Sequence, residues 1–455
     1  MPTRTNSPLR AAVLADSDTR WKWGALTAHR LVSDDQDDAR LDGFLLRGRA
    51  TPTVRQLAEV GVRAQSLREV TGAEFVRAVS GSEYDVIVLS CVGGAVQAML
   101  HGLGRAWRTP AGDAADARRP VVVTGYVGVV YEKLADGLLL RHGADVVLAN
   151  SAYDADRFRA VYRGVGADPR SVVECALPFL GGAPYDPAAR ARRAHPGGTV
   201  VFAVQPSVPD NRADRAYLLR RAVEHARKHP DREVLMKLRS KPGEHTTHIE
   251  ELPYQKLAAR IEGGAPPNFR LSYGNMGEVL DTADLLVTVS STAALESLHR
   301  GVPTAVLTDL GIRETLGNHH FLGSGCLASW DQLDAGHLPK PDPDWVARQG
   351  VHTGEAYRSA FDAARERVAE LAAAPEPPPL SPYYTPTTAP GYLPRILGRY
   401  GFQPDGTPLP GAPTGDAEPS GLRRVVRNTM REAARGAYRH GVQRVAPVIR
   451  RMGEL

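Results

Sequence analysis

Short apolar, β-rich runs alternate with stretches of helical periodicity over most of this chain. Residues 9–15, 44–47, 86–91, 120–124 and 145–149 read as strands. Helical patterns lie between them at 22–32, at 54–60, from Gly93 through Leu103, and after Ser151. Strand then helix, repeated at this spacing, predicts a parallel, doubly wound sheet. Periodicity then stops, because residues 177–193 hold Pro178, Gly181, Gly182, Pro184 and Pro187. Residues 177–197 are therefore read as a linker between domains. The rhythm restarts with strands at 199–204, 233–237, 269–272, 284–289 and 304–307, with helices interleaved, and a helix over 355–373 closes it. The expected layout is one α/β domain over 8–176 and a second over 198–373.

The segment 374–420 is rich in Pro, Gly and Thr. Such a composition buries too little apolar area to offset its ordering entropy, so partial disorder is expected. Tyr383, Tyr384, Tyr392, Leu393, Ile396 and Leu397 give its early part a surface that can pack on the body. Residues 421–455 place Leu422, Val425, Val426, Met430, Ala433, Ala437, Val442 and Val445 at helical spacing with Arg opposite. This is a basic amphipathic helix, suited either to an anionic membrane surface or to a partner protein.

Charge refines that picture. The net charge is +5, but the chain from Gly421 onward holds nine Arg and two Glu, which leaves the rest near −2. A roughly neutral body argues against a nucleic-acid-coating surface, so no nucleic-acid partner is expected. Cys91, Cys175 and Cys326 stand alone, without metal-ligand spacing. Isolated thiols fit a reducing cytoplasm and argue against a disulfide framework or a structural zinc site. The N-terminal apolar run is too short for a signal peptide, and no apolar stretch reaches the ~18 residues of a membrane span. The expectation is a cytoplasmic protein, at most peripheral at the inner membrane face.

In open α/β sheets ligands bind beyond the carboxyl ends of the strands, so the loops after strands carry the candidate chemistry. The strongest is Ser290-Ser291-Thr292, which runs from an apolar strand onto a helix, with Glu296 about one turn on. Exposed N–H groups and the helix dipole favour an anion there, and a carboxylate near the mouth suits ribose hydroxyls. The same hydroxyls also suit a helix cap. Lys237, Arg239 and Lys241 fall on one face if the strand continues, which would place three cations against a phosphate. Gln205 and Arg212 (or Arg215) follow the second domain's first strand.

In the first domain Asp16 and Asp18 follow the first strand. An acceptor hydroxyl needs a base, and either carboxylate would serve; an Asx turn or helix cap is the alternative. Trp21 and Trp23 offer rings for a sugar or for the core. Gly93, Gly94, Tyr126 and Gly128 suit close approach of an acceptor or turn geometry alone. Asn318, His319 and His320 form a late polar segment, and adjacent histidines make poor metal ligands because their side chains diverge. No metal or cofactor is expected.

The run Ser-Ser-Thr-x-x-x-Glu-x-x-x-x-Gly-x-Pro over 290–303, after Asp-Leu-Leu-Val-Thr-Val, resembles the donor-binding element of GT-B enzymes. It is similar to the element of non-hydrolysing nucleotide-sugar epimerases and of bacterial capsule transferases, including polysialyltransferase-like and CDP-glycerol-polymerase-like families. An actinobacterial glycosyltransferase group shares the character. The likeness extends more weakly over 9–372. It implies two Rossmann-like domains facing a cleft, with the Ser pair on donor phosphate and Glu296 near the ribose. Ser291-Thr292 stands where the epimerases carry a Gly pair, and Lys241-Pro242 lacks the His of the capsule enzymes' Lys-x-His-Pro element. The implied activity is metal-independent transfer of a sugar from a nucleotide-sugar donor to a glycan, lipid-linked or small-molecule acceptor. The alternatives are a nucleotide-sugar epimerase and a catalytically inactive scaffold at the membrane.

Overall fold

The computed structural model describes residues 9–32, 40–48, 50–81, 84–108, 118–130, 133–190, 196–241, 244, 252–374 and 377–411. The basic helix expected over 421–455 lies outside them, as do Pro242 and His245. The described residues fall into two compact units, the first drawn from Met1–Leu180 and Val346–Thr414, the second from Gly181–Trp345. Among the described residues no helix is long and apolar enough to cross a membrane.

Unit 1 is built on seven parallel strands: β1 (Arg10–Ala15), β2 (Arg40–Leu46), β3 (Ser66–Val70), β4 (Val86–Ser90), β5 (Val121–Gly125), β6 (Val146–Ala149) and β7 (Val172–Glu174). Their order is β3-β2-β1-β4-β5-β6-β7, so the winding reverses between β1 and β4. The helices are α1 (Asp18–Val32), α2 (Val54–Val60), α3 (Gly72–Ser80), α4 (Gly93–Arg108), α5 (Leu134–Leu139) and α6 (Ala152–Gly164). Strands β4, β5 and β6 are buried along their whole length, as expected where helices cover both faces of a parallel sheet. Capping boxes set the starts of two helices: Thr53 with Gln56 for α2, and Thr71 with Glu74 for α3.

Unit 2 opens with α7 (Pro187–Arg190) and has six parallel strands: β8 (Thr199–Ala203), β9 (Glu233–Lys237), β10 (Phe269–Ser272), β11 (Leu285–Thr288), β12 (Thr304–Leu307) and β13 (Leu327–Ala328). The order β10-β9-β8-β11-β12-β13 reverses between β8 and β11. Its helices include α8 (Arg212–Lys228), α9 (Tyr254–Ala258), α10 (Met276–Leu280), α11 (Ala293–Arg300) and α12 (Trp330–Asp334). Helix α13 (Pro343–Arg348) spans the boundary, and α14 (Gly354–Ser359), α15 (Asp362–Ala373) and α16 (Leu393–Arg399) belong to unit 1.

One device recurs at the strand entrances. Asp85, Asp145 and Asp284 immediately precede or abut β4, β6 and β11, and each carboxylate accepts an N–H at the start of a neighbouring strand. The pairs are Asp85–Arg10 at 2.9 Å, Asp145–Val122 at 2.8 Å and Asp284–Thr199 at 2.8 Å. Two of these aspartates return the bond through their own N–H, Asp85 to Arg10 O and Asp284 to Thr199 O. These charge-assisted bonds pin the register of the apolar strands.

The boundaries depart from the sequence expectation at three places. Leu177 and Leu180 are buried in unit 1, and Tyr185 N–H donates to Arg300 O in unit 2, so much of 177–197 is held by the units. The helix expected over 355–373 in the second domain is two helices, α14 and α15, and both lie in unit 1. There α15 buries Ala364, Val368, Leu371 and Ala372 and packs on α1 and β5–β7. Helical periodicity shows which face is buried but not which sheet receives it. Helix α1 starts at Asp18, so most of the loop expected over 16–20 is helical. Ser17 caps it, with Ser17 O accepting from Trp21 N at 2.8 Å.

The early Pro-rich segment, 377–411, packs on unit 1 as a strap. Leu380, Leu393, Leu397 and Phe402 are buried in the core that contains α3 and α4. The Phe402 ring sits where a Cβ at Gly102 would approach it to 2.8 Å and a Cβ at Gly72 to 3.0 Å, so both helices need glycine there. Phe402→Ala is expected to destabilise unit 1 by about 3–5 kcal/mol, read as a lower denaturation midpoint with the unit 2 transition unmoved.

Candidate functional site

In unit 2 the winding reversal brings the loop after β8 against the loop after β11. The Gln205 amide donates to Ser290 Oγ at 3.2 Å and accepts from Ser290 N–H at 3.1 Å. Ser290 is buried, and its hydroxyl donates to Leu316 O at 2.5 Å. These two predicted donor residues therefore meet, but as a structural clasp. Ser290 holds the loop and does not present a hydroxyl to a ligand.

The next two residues differ. Ser291 Oγ accepts from Ala293 N–H at 3.2 Å, closing the first turn of α11. Thr292 is half-buried, adopts helical dihedrals and makes no capping bond through its side chain. No donor of Thr292 has a partner among the described residues. An open N–H and a hydroxyl at a helix start form a ready anion contact. Glu296 is 6% exposed and already has polar interactions within the fold, which sets its carboxylate deeper than a cleft-mouth position.

The row of three cations does not form. β9 ends at Lys237, which is buried with its ammonium donating to Leu238 O at 2.8 Å. Arg239 is half-buried and Lys241 exposed, in a turn where strand alternation no longer applies. Arg212 is exposed as the first residue of α8, whose N-cap is Asn211. Arg215 is buried. Its guanidinium donates to Gln205 O, Pro206 O and Pro209 O at 3.1–3.2 Å and lies 4.1 Å from the Tyr254 ring centre, so it shapes the loop after β8 from beneath. Asn318, in the late polar segment, is buried and donates to Leu307 O and Gly311 O, a structural role.

In unit 1 the reversal lies between β1 and β4. Asp16 stands at the end of β1, held by Arg20 at 3.0 Å on one oxygen and by Val92 N–H at 2.9 Å on the other. Asp18 is half-buried at the first position of α1 and accepts from the Thr19 hydroxyl at 3.3 Å. Trp21, expected beside an acceptor, is 1% exposed and packs over Gly43, so it is a core residue. Trp23 is likewise buried, donating to Asn150 Oδ1 at 3.2 Å.

Gly93 opens α4, where a Cβ would meet Leu140 at 2.9–3.0 Å, so its glycine serves packing. Tyr126 is half-buried, with its ring 4.1 Å from the Arg141 guanidinium and its hydroxyl donating to Leu134 O at 3.4 Å. Burial pushes its phenol above the usual value, chiefly by desolvation. Gly128 lies half-buried in the bend that follows. Arg141 is buried and donates to Gly125 O, Gly137 O and Cys91 O at 2.8–3.2 Å. Burial lowers its pKa, chiefly by desolvation.

Asp154 escaped the sequence reading except as a helix marker. It lies in the first turn of α6, beyond β6, 4% exposed, with Arg157 3.5 Å from Oδ1. Burial raises its carboxyl to about 6, with Arg157 opposing. A carboxyl near neutrality at the carboxyl edge of the sheet has the properties of a proton carrier. The signal available in sequence was only an acid three residues after a capping Ser151.

A cluster away from both edges also draws notice. His225 on α8, His229 at its C-cap and Asp334 on α12 bring ligand atoms within 4.8 Å of one another. Asp334 already takes His225 Nδ1 at 2.7 Å, Arg221 at 3.1 Å and Lys228 at 2.5 Å. A divalent ion there would displace cations from their carboxylate, so the cluster is read as a hub joining α8 to α12. Burial lowers His225 to about 4, against the pull of Asp334.

Two doubly wound parallel sheets, each with chemistry-bearing loops at its winding reversal, define a protein with two Rossmann-like α/β units. The chain belongs to the family described as "Putative glycosyltransferase (DUF6716)", which matches residues 11–371. No curated protein sequence matches it. Among solved structures it is similar to a UDP complex of MnaA from S. aureus (11% identity, 81% of this chain and 99% of that one, TM-score 0.48). It is also similar to a UDP-N-acetylglucosamine 2-epimerase from Rickettsia bellii (11%, 80% and 96%, TM-score 0.49). A third is the spinosyn forosaminyltransferase SpnP (12%, 82% and 97%, TM-score 0.39). At these identities none of them speaks to what this chain binds.

Two pH-dependent outcomes follow from the buried groups. His225 has a folded pKa near 4 against 6.5 unfolded, so the unfolded chain takes up the proton first. Its contribution is intact above pH 6.5 and is lost as pH falls toward 4, at no more than about 1.4 kcal/mol per pH unit. His225→Gln should flatten that slope in denaturation series from pH 7 to 4.5. Asp154 shifts the other way, so the folded state holds its proton up to about pH 6 and stability is lost as pH rises through 4 to 6. Asp154→Asn should therefore stabilise unit 1 by about 1–3 kcal/mol above pH 6 and not below pH 4, measured by chemical denaturation at both pH values.

Proposed function

We propose that this protein transfers a sugar from a nucleotide-sugar donor to a hydroxyl acceptor. Unit 2 carries the donor and unit 1 the acceptor. The observation that carries this reading is Thr292. It is held at the start of α11 by the Gln205–Ser290 clasp, with its donors open at the winding reversal of unit 2. A pyrophosphate set there would meet Thr292 N–H and Oγ, Ser291 and the positive end of α11. Arg239, Lys241 and Arg212 supply nearby positive charge from the loops after β9 and β8.

In the reaction the acceptor oxygen bonds the anomeric carbon as the bond from that carbon to the donor phosphate breaks. The leaving nucleotide keeps the electron pair, and its growing charge is stabilised by the same groups that bind it, without a metal. The acceptor proton passes to a carboxylate, which we assign to Asp16 with Asp18 as the alternative. The ion pair with Arg20 orients Asp16 at the end of β1. The buried free thiols Cys91, Cys175 and Cys326 suit a reducing, cytoplasmic setting. Residues 421–455 remain the proposed contact for an anionic membrane face.

A thermal-shift panel of UDP-, GDP-, dTDP-, CDP- and CMP-sugars tests the donor half. A ligand at about 100 times its Kd should stabilise the fold by roughly 2.7 kcal/mol. One base is expected to shift the transition, and Thr292→Val should reduce that shift while leaving the ligand-free midpoint within about 1 kcal/mol. No shift with any nucleotide sinks the reading. Conversion of a UDP-sugar in the absence of acceptor would replace it with epimerisation.

A further inference from the structure

The strap places an aromatic row along the carboxyl edge of unit 1's sheet. Helix α16 runs from Tyr392 at its N-cap to Tyr400 at its C-cap, with Ile396 midway. Leu393 and Leu397 are buried beneath it, and α16 packs on α4. Ile396 and Tyr400 come within 3.6–3.9 Å of where a Cβ would stand on Gly94, in the first turn of α4. Tyr392 donates its hydroxyl to Asp136 Oδ1 at 3.2 Å, in the first turn of α5, and the Tyr384 hydroxyl approaches the same oxygen at 3.5 Å. The Tyr384 and Tyr392 rings meet edge to face at 5.1 Å. The row therefore follows the N-terminal turns of α4 and α5, the edge where Asp16 also stands.

We propose that Tyr392, Ile396 and Tyr400, with Asp136, form a platform on unit 1 that binds a neutral oligosaccharide, the glycan acceptor of the transfer. This rests on the transferase reading for its purpose, though not for the binding itself.

The chemistry selects a sugar. Tyr392 stays 42% exposed although its hydroxyl is anchored, which leaves an oriented ring face bare. Sugar rings present apolar C–H faces to such rings and hydroxyls to the groups around them. Asp136 is exposed, and its second oxygen has no partner among the described residues, so it can accept from sugar hydroxyls. The Tyr400 hydroxyl likewise has no partner among them. Burial and nearby carboxylates, Asp136 for Tyr384 and Tyr392 and Asp16 for Tyr400, hold these phenols above their usual value. Tyr384 and Tyr400 reach about 12, so they remain hydrogen-bond donors.

Charge separates neutral from anionic sugars at the Tyr392 end of the row. Asp136 has no ion-pair partner among the described residues, so a phosphorylated or carboxylated chain would meet its carboxylate beside the Tyr392 ring, while the exposed Arg395 and Arg399 lie on the same helix toward Tyr400. At 1.5 Å per residue the row from Tyr392 to Tyr400 is about 12 Å long, which gives room for more than one ring. Its three strap residues lie beyond the family match, which ends at residue 371, and Asp136 lies within it.

The test uses the full chain and measures direct binding by calorimetry, without donor or turnover. The probes are maltohexaose, cellohexaose and chitohexaose, with polysialic acid as the anionic comparison. At least one neutral hexasaccharide should bind. Tyr392→Ala and Asp136→Asn should each weaken it tenfold or more, and Tyr400→Phe about threefold. Tyr392→Phe, which keeps the ring, should bind better than Tyr392→Ala. The nucleotide thermal shift should be unchanged in all four variants. Absence of binding by every neutral probe, binding equal to wild type in Tyr392→Ala and Asp136→Asn, or preference for polysialic acid overturns the platform. Saccharide binding with no nucleotide shift would instead sink the donor assignment and leave the platform standing.

Discussion

A buried guanidinium under the loops at the carboxyl edge is the interaction on which each unit's site depends. In unit 1 Arg141 gathers the carbonyls of Cys91, Gly125 and Gly137, and in unit 2 Arg215 gathers those of Gln205, Pro206 and Pro209. Each lies 4.1 Å from a tyrosine ring, Tyr126 or Tyr254. Such carbonyls at the ends of strands and in the turns beyond them need donors, because a buried unsatisfied carbonyl costs about 1–3 kcal/mol. In each unit one buried guanidinium donates to three carbonyls at once. Neither guanidinium is available to a ligand. Their effect is to fix the backbone from which Asp16, Gly93, Tyr126, Gln205 and Ser290 project.

The same division between holding and presenting runs through the candidate residues. Ser290, Gln205, Lys237 and Trp21 are spent on the fold, while Thr292, Lys241, Arg212 and Tyr392 face outward or keep donors open. Ser290 and Thr292 are two residues apart with the same chemical group, and they differ because β11 delivers the first inward against Leu316. Asp154 shows the reverse cost. A neutral residue there would be more stable at neutral pH, because burial leaves the carboxylate poorly solvated.

Much of the fold was legible because strands buried on both faces write themselves as uninterrupted apolar runs. The aspartates at 85, 145 and 284 were visible at the heads of three such runs, and the structure gives them a reason in register. The elements that went unread were edge strands and short helices. β3 is Ser-Leu-Arg-Glu-Val and largely exposed, and β7 and β13 are only three and two residues long, so none carries an apolar run. In the site, the loops were found but not the roles within them. A hydroxyl that bonds Leu316 and one with no partner among the described residues look alike in sequence.

The sequence by itself determined two βα series, the break between them, the loops that carry polar chemistry, and the strap residues with surface to pack. These follow from local periodicity and composition, which one stretch of chain contains in full. Only the tertiary structure decided that α14 to α16 join unit 1, that β9 stops at Lys237, that Asp16 is clamped by Arg20 and Val92, and that Tyr392 meets Asp136. The helix placement, the Val92 clamp and the Tyr392 contact each depend on which distant segment supplies the partner atom. Pairings across 76 or 256 residues leave no trace in the periodicity of either segment.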